Sequence, residues 1–95
     1  MPRFILLSTL TDKGLETIAE NPTRITEVNK EVEGMGAKIV DQYALLGPYD
    51  FLTIIEAPDN ETVARISVKL GERGTVKIMS LPAIPTESFI KSLQK

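Results

Sequence analysis

Cysteine, histidine and tryptophan are all missing from this chain. Without cysteine there is no disulfide, no thiolate nucleophile and no thiolate-ligated zinc or iron–sulfur centre. Without histidine the usual general base near neutral pH, the commonest transition-metal ligand and the usual haem ligands are gone as well. No metal and no other cofactor is therefore expected. Charge of one sign is also in short supply. Eleven Lys and Arg stand against 13 Asp and Glu, a net charge of −2, so no positive field draws in nucleic acid or an acidic membrane surface. No unbroken hydrophobic run is longer than Phe4 to Leu7, which is too short for a signal-peptide core or a membrane span. The expected compartment is the cytoplasm.

What is present is ordinary for a folded domain: 95 residues, 42% hydrophobic and 25% charged, read as one domain over residues 1–95 without linker, repeat or low-complexity tract. A domain this small hides about 60–70% of the surface its unfolded chain exposes, which makes self-association a useful further source of stability. Residues 3 to 10 (RFILLSTL) read as a strand that is apolar on both faces. Thr11 and Asp12 offer oxygens to the free N–H groups of a first helical turn, and Leu15, Ile18 and Ala19 repeat at helical spacing. Asn21-Pro22 interrupts that pattern, because proline inside a helix loses a hydrogen bond and clashes with the preceding turn; Asn before Pro is also a good fresh helix start. Ile25, Val28, Val32 and Met35 resume the spacing until Gly34 and Gly36 stop it.

A second strand over residues 37 to 46 and a third over 51 to 57 flank Gly47-Pro48-Tyr49-Asp50. This is a hairpin, and its proline forbids the tight type I′ turn. Pro58-Asp59-Asn60 opens another helix with the stripe Val63, Ile66 and Leu70, ended by Gly71 and Gly74. Residues 75 to 81 form a fourth strand, Pro82 and Pro85 bracket a stiff extended segment, and Thr86 is placed to cap a short C-terminal helix carrying Phe89, Ile90 and Leu93. The order β-α-β-β-α-β plus a tail helix gives an α+β, ferredoxin-like, four-stranded antiparallel sheet with both crossover helices on one face. Its second and fourth strands are the edges. Yet Phe51 and Ile55 point opposite to Leu52 and Ile54, and Phe4 and Leu6 opposite to Ile5 and Leu7. A sheet wet on one side alternates with polar residues. The second face is therefore expected to meet another copy of the chain, sheet to sheet.

The GPYD hairpin resembles the signature of the GYD-domain family. The likeness runs along the chain through TDKG, NPTR, GPYD, EAPDNET, LGERGTV and LPAIP in that order. The resemblance implies a ferredoxin-like protomer assembled as a dimeric α/β barrel, and it implies no activity. From GPYD onward the chain is also similar to the effector-binding domain of leucine-responsive transcription regulators, which binds amino acids between protomers. No helix-turn-helix stands ahead of that half, so a DNA role would need a separate partner.

Four residues are candidates for ligand binding: Tyr43, Tyr49, Asp50 and Arg73. Asp50 can equally accept the N–H groups of its own turn, and Tyr49 suits a subunit contact as well as a ligand. Arg73 lies in Gly71-Glu72-Arg73-Gly74, which matches the Gly-x-x-Gly loop of K-homology nucleic-acid binders but follows a helix C-terminus, whose dipole repels phosphate. It reads better as a terminating turn, with Arg73 either satisfying the last carbonyls or aimed at a carboxylate of a ligand or partner. The hairpin tip and Arg73 are expected far apart in one protomer, to be brought together by a second. Glu16 with Glu20, and Glu27 with Glu31, read as solvated helix faces. Asp41, Gln42, Tyr43, Thr53 and Glu56 are the polar residues of the hairpin strands, and the face Tyr43 occupies depends on a register left open by the turn length. The reading is a homo-oligomeric small-molecule-binding or sensing protein without evident catalysis. Two alternatives stand beside it: a cofactor-independent oxygenase or isomerase using Tyr43 or Tyr49 as proton donor and Arg73 as anion stabiliser, and a purely structural assembly module.

Overall fold

Every strand and helix expected from the residue patterns forms in the computed structural model, which describes residues 1–94. In chain order these are β1 (Arg3–Leu10), α1 (Asp12–Glu20), α2 (Arg24–Gly34), β2 (Lys38–Ala44), β3 (Phe51–Glu56), α3 (Asn60–Gly71), β4 (Val76–Ala83) and α4 (Thr86–Leu93). The sheet has the order β2-β3-β1-β4 with all neighbours antiparallel, so β2 and β4 are the edges as expected. Two of the helix starts follow from their capping oxygens. The Thr11 hydroxyl accepts from the Gly14 N–H at 3.2 Å, and the Asp59 carboxylate accepts from the Thr62 N–H at 2.8 Å and its hydroxyl at 2.6 Å. Those two bonds hold the Asp59 carboxyl below its ordinary pKa, because they favour the ionised form.

The core lies where β1 and β3 meet α3 and the end of α2. Phe4, Leu6, Val32, Ile55, Ala57, Val63, Ile66 and Leu70 are all buried there. Burial of side chains of this kind contributes about 1.5–3 kcal/mol each. The opposite face of the sheet carries no helix. On it Leu7 pairs with Leu52 and Met79, Ile5 pairs with Ile54 and Leu81, and Tyr43 sits beside Leu52. Met79, Leu81 and Tyr43 are exposed. The two-sided apolar pattern is thus realised, with one side covered and one open.

Five details depart from the expectation. β2 contains a bulge: Ile39 pairs with Ile55 and Asp41 with Ile54, leaving Val40 as the extra residue. β2 also ends at Ala44, and the loop of residues 45–50 is closed by the Leu45 N–H donating to the Asp50 carbonyl at 2.8 Å. β4 runs through Pro82 to Ala83, because on an edge strand the missing N–H of proline faces outward and breaks no ladder. Thr86 is not a cap: Pro85 occupies that position and no side chain caps α4. Likewise α2 does not start at Asn21; a turn intervenes, with the Arg24 N–H donating to the Asn21 carbonyl at 3.0 Å.

α4 stands away from the body. None of its residues is buried, and Phe89, Ile90 and Leu93 are at least half exposed. The molecule is correspondingly long, 54 × 28 × 19 Å with a radius of gyration of 14.4 Å, against about 12 Å for a compact chain of this length.

α1 is held in place by a close approach. The Thr11 N–H donates to the Thr75 carbonyl at 3.0 Å and the Thr11 hydroxyl to the Gly74 carbonyl at 2.7 Å. Gly14 is buried one turn later, and a Cβ there would overlap the Thr75 carbonyl oxygen and come within 3.3 Å of the Leu10 side chain. Gly14→Ala should therefore destabilise the fold by roughly 2 kcal/mol or more, since backbone must move to admit it. Urea unfolding measures this; a loss near zero would show that α1 is not fixed by this contact.

Candidate functional site

α3 buries residues along its length, Thr62, Val63, Ile66 and Leu70. The other two crossover helices do not. α1 buries only Gly14, and α2 buries only Val32. Between them and the sheet lies a cavity of about 150 Å³, at the end where β1 runs into α1. That is room for one ring-sized molecule. Its wall is mainly apolar, with Leu6, Ile18, Ile25, Val28, Phe51 and Ile78 among the contributors.

The polar part of the wall is organised by the β2 bulge. Past Val40 the alternation is shifted, so Gln42 turns toward the helices beside Thr53, and Tyr43 turns to the open face. The Gln42 side-chain amide donates to Thr53 Oγ1 at 3.0 Å and to Asn29 Oδ1 at 3.2 Å, while Asn29 Nδ2 donates back to Gln42 Oε1 at 2.8 Å. This reciprocal pair links α2 to the edge strand and satisfies polar groups that would otherwise be costly to bury.

Arg24 and Arg73 also line the cavity. Arg73 reaches from the turn after α3 to α2, where Nη1 donates to Glu31 Oε1 at 3.1 Å and Nη2 bonds Glu31 Oε2. Arg24 Nη2 lies 3.3 Å from the same carboxylate, and Arg24 Nη1 lies 3.3 Å from Glu27. The Arg73 hydrogen bond holds the Glu31 carboxyl below its ordinary pKa, against a smaller opposing push from desolvation. The Arg73 guanidinium is in turn held above its own ordinary value, chiefly by the same bond. Two helical segments are tied together at this point by a bidentate ion pair, the geometry at which guanidinium binds carboxylate best.

Of the four candidate residues, only Arg73 lies on this cavity. Tyr43 is half exposed on the open face, and its hydroxyl donates to Asp41 Oδ2 at 2.7 Å. That hydrogen bond, and after it the repulsion between two anions, favour the protonated phenol and raise its pKa, the wrong direction for an activated phenol. The Tyr49 hydroxyl reaches only the Met79 sulfur, at 3.8 Å, also on the open face. Asp50 ties the hairpin to β1: its carboxylate accepts from the Leu10 N–H at 2.8 Å and its own N–H donates to the Ser8 carbonyl at 2.8 Å. Leu10 pairs in turn with Val76. The hairpin tip and the turn bearing Arg73 therefore share one end of the sheet, at its two edge strands, with the tyrosines and Arg73 on different faces. Glu31 escaped the residue-by-residue reading, since spacing four from Glu27 marks a solvated face equally well. Among the described residues there is no group of three or more His, Cys, Asp or Glu side chains able to hold a metal ion, and no helix is long and apolar enough to cross a membrane.

The Glu31 pair gives stability a defined pH dependence. A carboxyl with a lowered folded-state pKa contributes stability that is present above its unfolded value, 4.5, and is lost as pH falls through the folded value. The difference in unfolding free energy between the natural chain and Glu31→Gln should therefore shrink as pH is lowered from 5.5 to 3 (about one unit above to a unit and a half below). Chemical unfolding across that range checks it. A difference independent of pH would mean that the pair contributes through packing alone.

The GYD domain family model matches residues 4–93. The chain is also 55% identical over 95 residues to a protein of Thermus thermophilus named a glutamine synthetase and cystathionine beta-lyase binding protein, covering 99% of this chain and 100% of that relative. Fold, hairpin signature and both similarities agree, and the chain belongs to the GYD domain family.

Proposed function

We propose that this chain is a non-catalytic regulatory binding protein that works as a homo-oligomer, docks on metabolic enzymes, and takes a small molecule in the cavity under α1 and α2. The observation that carries the reading is the open apolar face of the sheet. Ile5, Leu7, Leu52, Ile54, Met79 and Leu81 form two adjacent rows across three strands with no helix over them. A contiguous apolar patch of this kind marks an interaction surface. α4 supports the same reading. An eight-residue helix is not stable alone in water, and its exposed Phe89, Ile90 and Leu93 supply a second apolar surface for another copy to cover.

The relative named for binding glutamine synthetase and cystathionine beta-lyase is similar along its whole length, which makes those two enzymes the first partners to test. Catalysis finds less support. The cavity wall holds no carboxylate and no phenol to act as a base, and Tyr43, the candidate proton donor, lies on the opposite face of the sheet from Arg73.

Two measurements test the proposal. By multi-angle light scattering at micromolar concentration the natural chain should run as a dimer or larger species, and Leu81→Asp, which places a charge in the open face, should lower that mass with the circular dichroism unchanged. In sedimentation velocity the natural chain should co-migrate with glutamine synthetase or cystathionine beta-lyase from the same organism. A monomer in the first experiment would overturn the self-association, and no complex with either enzyme at tens of micromolar would overturn the partner assignment.

A further inference from the structure

We propose that the cavity binds a small organic monocarboxylate with an apolar, ring-sized body, and that the ligand's carboxylate takes the place of Glu31 on Arg73. The inference rests on the small-molecule part of the proposed function and names the chemistry of the ligand. Its basis is where the charges stand. The charged side chains lining the cavity are Arg24 and Arg73. Their carboxylate partners, Glu27 and Glu31, lie outside the lining, and Glu72, whose charge also acts on Arg73, is exposed to solvent. An occupant meets two arginine side chains and no acid. A cationic ligand is disfavoured there, and a neutral one leaves the arginines on their glutamates.

Glu31 already shows what Arg73 recognises: a carboxylate engaged by both terminal nitrogens of the fork. Exchange of one carboxylate for another keeps Arg73 satisfied. The displaced Glu31 side chain is one-third exposed and stays beside Arg24, so water and a second cation receive it. The two carboxylate exchanges nearly cancel, and the net attraction comes from the body of the ligand against Ile25, Val28, Phe51 and Ile78. The volume, about 150 Å³, limits that body to roughly one ring.

Benzoate and its neutral isostere benzamide are suitable probes, titrated into the ¹⁵N-labelled natural chain and read from amide shifts of Phe51, Thr53 and Ile78. In the natural chain the two probes should bind within a few-fold of each other, because benzoate gains Arg73 only as Glu31 gives it up. Glu31→Gln, which frees Arg73 from its competitor, should tighten benzoate by about tenfold and leave benzamide unchanged. Adding Arg73→Gln to Glu31→Gln should erase that preference for benzoate. Should that variant fail to fold, the ratio of the two probes in Glu31→Gln decides alone. Equal binding of both probes, unchanged by Glu31→Gln, would overturn the carboxylate exchange while leaving a small-molecule cavity. Failure of either probe to shift these amides at millimolar concentration would overturn the cavity reading itself.

Discussion

β1 sends apolar side chains to both faces of the sheet, and the helices of the chain cover only one of them. Phe4 and Leu6 are buried under the helical layer, while Ile5 and Leu7, at the centre of the same sheet, face outward between Leu52, Ile54, Met79 and Leu81. The imbalance follows from topology. Two right-handed crossovers between four antiparallel strands of this order place their helices on the same side. The chain's remaining helix, α4, is held off the body beyond Pro82 and Pro85. Hydrophobic burial is the main favourable term in folding and in association alike. An apolar central strand with one bare face therefore couples the two, and it leaves a surface for the proposed second copy to cover.

The covered side is itself uneven, and the unevenness creates the candidate site. α3 buries a stripe from Thr62 to Leu70, whereas α1 is pinned at its first turn by Gly14 against Thr75 and then breaks at Asn21-Pro22. α2 is held by polar contacts at two points. Asn29 pairs with Gln42 on the edge strand, and Glu31 pairs with Arg73 beyond α3. A helix anchored by directional contacts at its ends and sides does not need to fill the space beneath it. The bulge at Val40 is what aims Gln42 into that space and Tyr43 out of it. One extra residue in an edge strand thus separates the polar wall of the cavity from the open face.

Much of the architecture is legible in the residues themselves. Strand alternation, the helical stripes at Val63, Ile66 and Leu70, and the capping oxygens of Thr11 and Asp59 each follow from local chemistry. The structural role of Asp50 was also readable, because a carboxylate at a hairpin end has N–H groups within reach. The site was less so. Val40 is an ordinary strand residue, and nothing in its neighbours marks a bulge. Glu31 and Arg73 are 42 positions apart, so their pairing exists only once the helices are set on the sheet. Gly14 looks like part of a helix start, and its need for close approach shows only when Thr75 is placed beside it. Contacts made by the fold, as opposed to the local chain, are the ones that pattern reading misses.

The central claim is that the open sheet face is closed by a second copy of the chain. The chain has no cysteine, so a single one can be introduced as a spin-label site without background. Lys77 is exposed and lies on the open face opposite Thr9, whereas Lys30 is exposed on α2 at the helical side. Double electron–electron resonance on singly labelled Lys77→Cys should show a short distance between copies, set by the ~10 Å separation of packed sheets and the length of the labels, and Lys30→Cys should show a much longer one. A short distance at Lys30 with none at Lys77 would place the contact on the helices and contradict the account.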